Sequence, residues 1–204
     1  MRLILASTSP YRAELLQRLG LDFEQMNPDF VEARPGSMPP DELVRYNTLG
    51  KAHSLFSSDA LSASSDLSII ASDQIAVCGS TVLGKPGNIE NACAQLALLS
   101  GRSVTFLTGL TVLSRTSEFY ETIPFQVHFR TLSRVEIETY VHIEKPLNCA
   151  GSFKSEGLGI TLFERLDGDD PTALIGLPLI RLSQCLQPLL LLATKMTKEK
   201  VHLR

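Results

Sequence analysis

The sequence predicts an α/β fold built on a mixed, twisted sheet, and three observations predict it. Strand-like and helix-like segments intermix along the chain instead of segregating into blocks. Apolar runs of strand length, such as Leu67 to Val77, are closed by turn residues, as in "CGSTVLG". The chain has 204 residues, 44% hydrophobic and 20% charged, enough for one compact domain with a sizeable core and room for two lobes.

Each element has its own local reason. Leu3 to Ala6 is an apolar strand. Ser9 is placed to cap a helix and Pro10 suits its first position. Leu15, Leu16 and Leu19 line one face of that helix and Gly20 ends it. Phe23 to Pro40, with four prolines, reads as a loop, and Asp41 as the cap of a helix to about Phe56. Ser57–Asp66 is a polar connector. After the strand from Leu67 come a turn and a second short strand, then a helix over Asn88 to Ser100. Val104 to Ser114 and Ile123 to Leu132 read as strands. Ser133 with Glu136 forms a capping box for a helix to about Ile143. "CAGSFKSEG" is a glycine-bounded loop, Gly159 to Leu166 a strand, and Thr172 to Leu192 a short turn and a helix. The tail from Lys195 is basic and reads as frayed. No internal repeat is visible.

Composition excludes several classes. A net charge of −3 gives no basic surface for nucleic acid, yet a local cluster can still hold a small anion. Cys78, Cys93, Cys149 and Cys185 are widely spaced, with neither zinc spacing nor a disulfide framework, which fits reduced thiols in a cytosol. The opening apolar stretch is too short for a signal peptide. Ala173 to Ala193 contains Arg181, two glutamines and two prolines, a poor membrane span and a better core element.

Five stretches carry chemistry. In "STSPYR", Arg12 stands in the first turn of a helix, where a cation opposes the macrodipole. A bound polyanion would reverse that repulsion, with Ser7, Ser9 and backbone N–H groups as donors; the plain alternative is an N-cap and a solvated arginine. Asp73 interrupts the apolar run "SIIASDQIAV", and a buried carboxylate is costly unless paired or metal-bound. At a cleft edge it can orient a metal and a water; otherwise it makes a strand-end turn contact. Lys85 in "GKPG" and Lys51 in "LGKAHSL" are candidate phosphate contacts or ordinary turn and helix lysines. Ser152, Lys154, Ser155 and Glu156 crowd one loop, either reading a ligand or solvated. Glu32 in "PDFVEARP" is a second acid for a hard cation, or a solvated loop residue.

Taken in order, "LILASTSPYRAELL", Lys51–Ala52, "ASDQ", "GKP", "SGR", "TGL" and "CAGSFKSEGLGITLFERLDGDDPTALIGLPL" resemble the Maf family of nucleoside triphosphate pyrophosphatases, from about Leu3 to Leu186. "SDQ" with "CAGSFKSEG" resembles the branch acting on 7-methyl-GTP rather than its sister acting on dTTP and UTP. The resemblance implies an elongated mixed sheet in two lobes around a cleft, like that of the ITP pyrophosphatases. It also implies a cytoplasmic enzyme, often a homodimer, that uses a divalent metal (Mg, Mn or Co) and has been linked to septum formation.

By the same resemblance Asp73 is the proton acceptor, and Arg12, Gln74 and Glu156 set base specificity. Ser7, Ser9, Lys51 and Lys85 surround the phosphates, and Glu32 joins Asp73 on the metal side. The residues alone give Arg12 to phosphate, whereas the family pattern gives it to substrate choice. The expected reaction is hydrolysis of 7-methyl-GTP to 7-methyl-GMP and diphosphate. The alternatives are a pyrophosphatase for dTTP, UTP or other non-standard nucleotides, and a non-catalytic nucleotide-binding regulator of division. The absence of a GxxxxGK[ST] loop argues against an ordinary NTPase scaffold.

Overall fold

Long strands, not helices, set the frame that positions the site. The computed structural model describes residues 2–58, 61, 66–187 and 190. The chain opens with β1 (Arg2–Ala6), α1 (Pro10–Gln17), β2 (Glu24–Met26) and α2 (Pro40–Phe56). There follow β3 (Leu67–Cys78), β4 (Thr81–Leu83), α3 (Ile89–Leu99), β5 (Ser103–Ser114) and β6 (Glu118–Phe129). The last elements are α4 (Arg134–Glu144), β7 (Phe163–Asp167) and α5 (Leu179–Cys185). The sheet order is β2-β1-β3-β5-β6-β7, with β4 on β3. β1 pairs parallel with β2 and β3, and every other pairing is antiparallel. This is the mixed α/β sheet that the alternating segments predict.

Register explains where a cleft can open. β5 follows one edge of β3 from Ser68 to Val77. On the other edge β1 pairs with Leu67–Ile70 and β4 with Ala76–Cys78. Between them residues 71–75 have no strand neighbour on that edge among the described residues. Asp73 and Gln74 sit in this gap, just beyond the carboxyl end of β1, the kind of position where open α/β sheets bind ligands.

Each twelve-residue strand spans roughly 40 Å, so each threads more than one apolar cluster. Ala76, Phe106, Phe125 and Val127 pack with α3 and α4 in one. Ile70, Leu110 and Ile123 pack with α1 and α5 in another. Ile69 and Ala71 pack under α2 with Ala52 and Leu55. Period-2 alternation therefore sends Asp73 toward α2 and Gln74 toward the opposite face. Gly109 lets α2 approach β5, since a Cβ there would lie 2.2 Å from Thr48 Oγ1.

Several boundaries differ from the sequence reading. Ser9 caps α1 and Ser133–Glu136 makes the capping box of α4, as expected. Asp41 is not the cap of α2: Pro39 holds that position and Asp41 lies in the first turn, where its charge suits the helix N-terminus. The expected loop 23–40 contains β2, whose polar residues gain a ladder only by pairing with β1. β6 begins at Glu118 rather than Ile123, because its partner β5 is equally long. The strand expected over Gly159 to Leu166 starts at Phe163, after a 3₁₀ turn over Leu158–Leu162. Most of the connector 57–66 and the tail from Lys195 lie outside the described residues.

Candidate active site

A cleft of about 450 Å³ opens at the gap in the sheet edge. Ser7, Ser9, Arg12, Glu32, Lys51, Gln74, Lys85 and Glu156 all line it. Asp73 lies one contact deeper, beneath Lys51, and is 7% exposed.

The acid is positioned from α2. The buried face of that helix runs Leu43, Val44, Asn47, Thr48, Lys51, Ala52, Leu55, so helical periodicity buries three polar residues among apolar ones. Lys51 Nζ lies 2.6 Å from Asp73 Oδ1 and 2.7 Å from Glu32 Oε1. One ammonium thus bridges both predicted metal-side acids and leaves the three groups with one net negative charge. Asn47, one turn earlier, accepts from Ala33 N at 2.8 Å and donates to Asp73 Oδ2 at 3.4 Å. It pins the loop that carries Glu32 to the helix that carries Lys51. Asp73 Oδ2 holds only that long contact among the described residues, whereas Oδ1 is paired with Lys51.

Glu32 and Asp73 are the residues that a divalent cation would use, and the Lys51 ammonium stands between them. Glu32 and Asp73 already converge on a positive charge, with hard oxygen atoms. Among the described residues no group of three or more His, Cys, Asp or Glu gathers to hold a metal. Two carboxylates completed by substrate phosphates is the usual composition of a magnesium site.

The turn before α1 does what a cap must and more. Ser9 Oγ accepts from Arg12 N at 3.4 Å, and Ser7 Oγ accepts from Ser9 N at 3.1 Å and from Arg12 Nη1 at 3.3 Å. The Arg12 guanidinium does not point into solvent: its Nε donates to Gly176 O at 2.9 Å. Burial pushes its pKa below the ordinary arginine value, while Asp73 and then Glu32 pull it back up. An arginine remains charged in such a setting, so it brings a fixed cation to the cleft wall.

Gln74 is held on the same wall. Its Nε2 donates to Ala173 O at 2.7 Å, Thr108 Oγ1 at 3.0 Å and Leu174 O at 3.1 Å. Three acceptors fix the amide orientation, so Oε1 is the atom left to face the cleft as an acceptor.

Glu156 and Lys85 are exposed, as is Glu32. Glu156 Oε2 accepts from Ser155 Oγ at 3.3 Å. It does not balance Lys154, whose Nζ bonds Glu144 O at 3.0 Å and Glu144 Oε1 at 3.3 Å. Lys85 makes no ion pair among the described residues, so its charge is available to a ligand. Cys149 also lines the cleft, and desolvation pushes its thiol up from the ordinary cysteine value, which disfavours the thiolate.

The sequence reading missed Asn47 and the segment from Asp170 to Arg181. Asn47 was legible as an amide on the apolar face of α2, four residues before Lys51. The carbonyls of the segment that receive Arg12 and Gln74 belong to the backbone, and side-chain identity does not state where they point.

Residues 2–189 match the family described as Maf-like protein. The chain belongs to the Maf family. It is 49% identical over 186 residues to the 7-methyl-GTP pyrophosphatase of Alcanivorax borkumensis, covering 90% of this chain and 92% of that one. It is 49% identical over 182 residues to the protein of that name from Pseudomonas aeruginosa, and 52% over 182 residues to that of Pseudomonas putida, each covering 88% of this chain and 92% of the relative. Among solved structures, the Staphylococcus aureus Ham1 protein aligns with a TM-score of 0.40 at 15% identity, covering 64% of this chain and 71% of that one. Among the described residues no helix is long and apolar enough to cross a membrane.

Proposed function

We propose that this protein hydrolyses 7-methyl-GTP to 7-methyl-GMP and diphosphate. The observation that carries the reading is the division of labour between adjacent residues of β3. Asp73 faces the charged cluster of Lys51, Glu32 and Asn47, whereas Gln74 faces the wall that carries Arg12. One strand position handles phosphate chemistry and its neighbour reads the base. The named relatives support the substrate.

In this mechanism the triphosphate lies along the cleft with its α-phosphorus near Asp73. A water attacks that phosphorus while its proton passes to Asp73 Oδ2. The bond from the α-phosphorus to the bridging oxygen breaks, and diphosphate leaves with the electron pair. Lys51, Lys85 and the Ser7–Ser9 turn stabilise the charge that moves onto it. Glu32 and Asp73 would hold a divalent metal, which supplies charge neutralisation when bound. Glu156 accepts from N1–H and the exocyclic amine of the base, a pair strengthened when N7-methylation makes the ring cationic. Gln74 Oε1 adds a second acceptor. The cytoplasmic setting and a homodimer belong to the same proposal and rest on the family resemblance.

A panel of 7-methyl-GTP, GTP, dTTP and UTP with chromatographic product identification tests this reading. The methylated nucleotide should give the highest kcat/KM, with diphosphate as product. Turnover of dTTP or UTP above 7-methyl-GTP would move the chain to the sister branch, and no turnover of any would leave a binding protein.

A further inference from the structure

The wall that carries Arg12 and Gln74 is itself held by two residues outside the reaction scheme. We propose that Asp170 and Thr172 form a clasp that sets base selectivity, acting as positioning residues. The clasp fixes a strap, residues 171–179, whose carbonyls aim Arg12 and Gln74. The proposal rests on the substrate reading above only in taking those two side chains as base readers.

Asp170 is 3% exposed, and a buried carboxylate is unfavourable unless fully partnered. Its four partners come from both ends of the strap. Oδ1 accepts from Thr172 N at 3.1 Å and Thr172 Oγ1 at 2.7 Å. Oδ2 accepts from Ile180 N at 2.8 Å and Arg181 N at 3.3 Å. Thr172 Oγ1 closes the loop a second time by accepting from Leu179 N at 2.7 Å.

Between these ends the carbonyls turn outward onto the site. Ala173 O and Leu174 O receive Gln74, and Ala173 O also receives Thr108 Oγ1 at 3.0 Å. Gly176 O receives both Arg12 Nε and Ser72 Oγ, the latter at 2.8 Å. Gly176 has φ +117°, a conformation that side-chain-bearing residues rarely adopt, and a Cβ there would lie 3.5 Å from Arg12 Nε. The strap is thus over-determined at its ends and contacts both readers from its middle. Asp170 does not line the cleft, so its influence on a nucleotide passes through the strap.

Asp170→Asn keeps the shape but turns an NH₂ toward one set of N–H donors, so one end of the strap must open. Thr172→Val keeps volume and loses both hydroxyl bonds; Thr172→Ser keeps them. Steady-state kinetics with 7-methyl-GTP and GTP read the effect as the ratio of their kcat/KM values. In Asp170→Asn and Thr172→Val that ratio should fall at least about fivefold, carried by KM, while Thr172→Ser stays within about twofold of wild type. Diphosphate affinity, measured by calorimetry, should stay within about threefold and shows that each variant is folded.

An unchanged ratio in both variants overturns the clasp, as does equal loss for both nucleotides or a Thr172→Ser as damaged as Thr172→Val. If Asp170→Asn does not fold, the Thr172 pair decides. If the wild type does not distinguish the methylated nucleotide, the substrate reading fails. The clasp is then judged by the same variants on the two nucleotides that the wild type separates best.

Discussion

Replacing Lys51 with methionine tests whether one buried ammonium holds the two acids of the site. The side chain keeps its apolar stem, so the perturbation is one of charge rather than volume. In the wild type Nζ lies 2.6 Å from Asp73 and 2.7 Å from Glu32, whose side chains are 10% and 56% exposed. Solvent screens the Glu32 half, which contributes at most about 1 kcal/mol. The Asp73 half is a buried pair, and removing one partner costs about 3–5 kcal/mol because the other charge is stranded. At about 2–4 °C per kcal/mol for a chain of this size, Lys51→Met should melt roughly 6–20 °C lower. The assay is a double-mutant cycle by thermal unfolding with Asp73→Asn. The double variant strands no buried charge and should melt above Lys51→Met. A Lys51→Met protein within about 2 °C of wild type, or a double variant less stable than that single one, refutes the reasoning.

Asp73→Asn should keep nucleotide binding and lose at least about a hundredfold in kcat, as read by diphosphate release; retention of more than a tenth of wild-type kcat removes it as the base. Lys85→Ala should weaken binding more as phosphates are added to the ligand without moving Tm, because the exposed ammonium has no ion pair among the described residues; calorimetry with mono- and triphosphates measures both affinities. Glu156→Gln should shrink the preference for the methylated base at unchanged stability, since the carboxylate's one described bond is to the neighbouring Ser155. Glu136 gives a pH test away from the site. Bonds from the Ser133 backbone and hydroxyl and from Arg130 hold its carboxyl down to about 2, against an ordinary 4.5. The folded state binds this proton less readily than the unfolded one, so the stabilisation is fully present above about 4.5 and is lost as pH falls through about 2. The Tm gap between wild type and Glu136→Gln should therefore narrow across that window, and a gap independent of pH contradicts it.

What the sequence made legible follows from how far each signal reaches. Asp73 stood out because a lone acid in an apolar strand must find a partner, and its partner Lys51 stood out less because helix lysines are common. The chain could not reveal that they meet, since the contact depends on register between α2 and β3. Arg12 was legible as a misfit with the helix dipole. The bond that settles its direction, to Gly176 O, lies 164 residues away along the chain. The mixed sheet was legible from alternation, but not the interrupted edge of β3, which is a product of strand lengths and register. β2 was hidden because "EQM" carries no alternation and becomes a strand only beside β1.

The central claim is that water, deprotonated at Asp73, attacks the α-phosphorus of a methylated guanosine triphosphate. Hydrolysis of 7-methyl-GTP in ¹⁸O-enriched water, with mass spectrometry of both products, tests it most directly. The account predicts one ¹⁸O atom in 7-methyl-GMP and none in diphosphate. Label in the diphosphate, or release of orthophosphate with 7-methyl-GDP, would place the attack on a different phosphorus and contradict it.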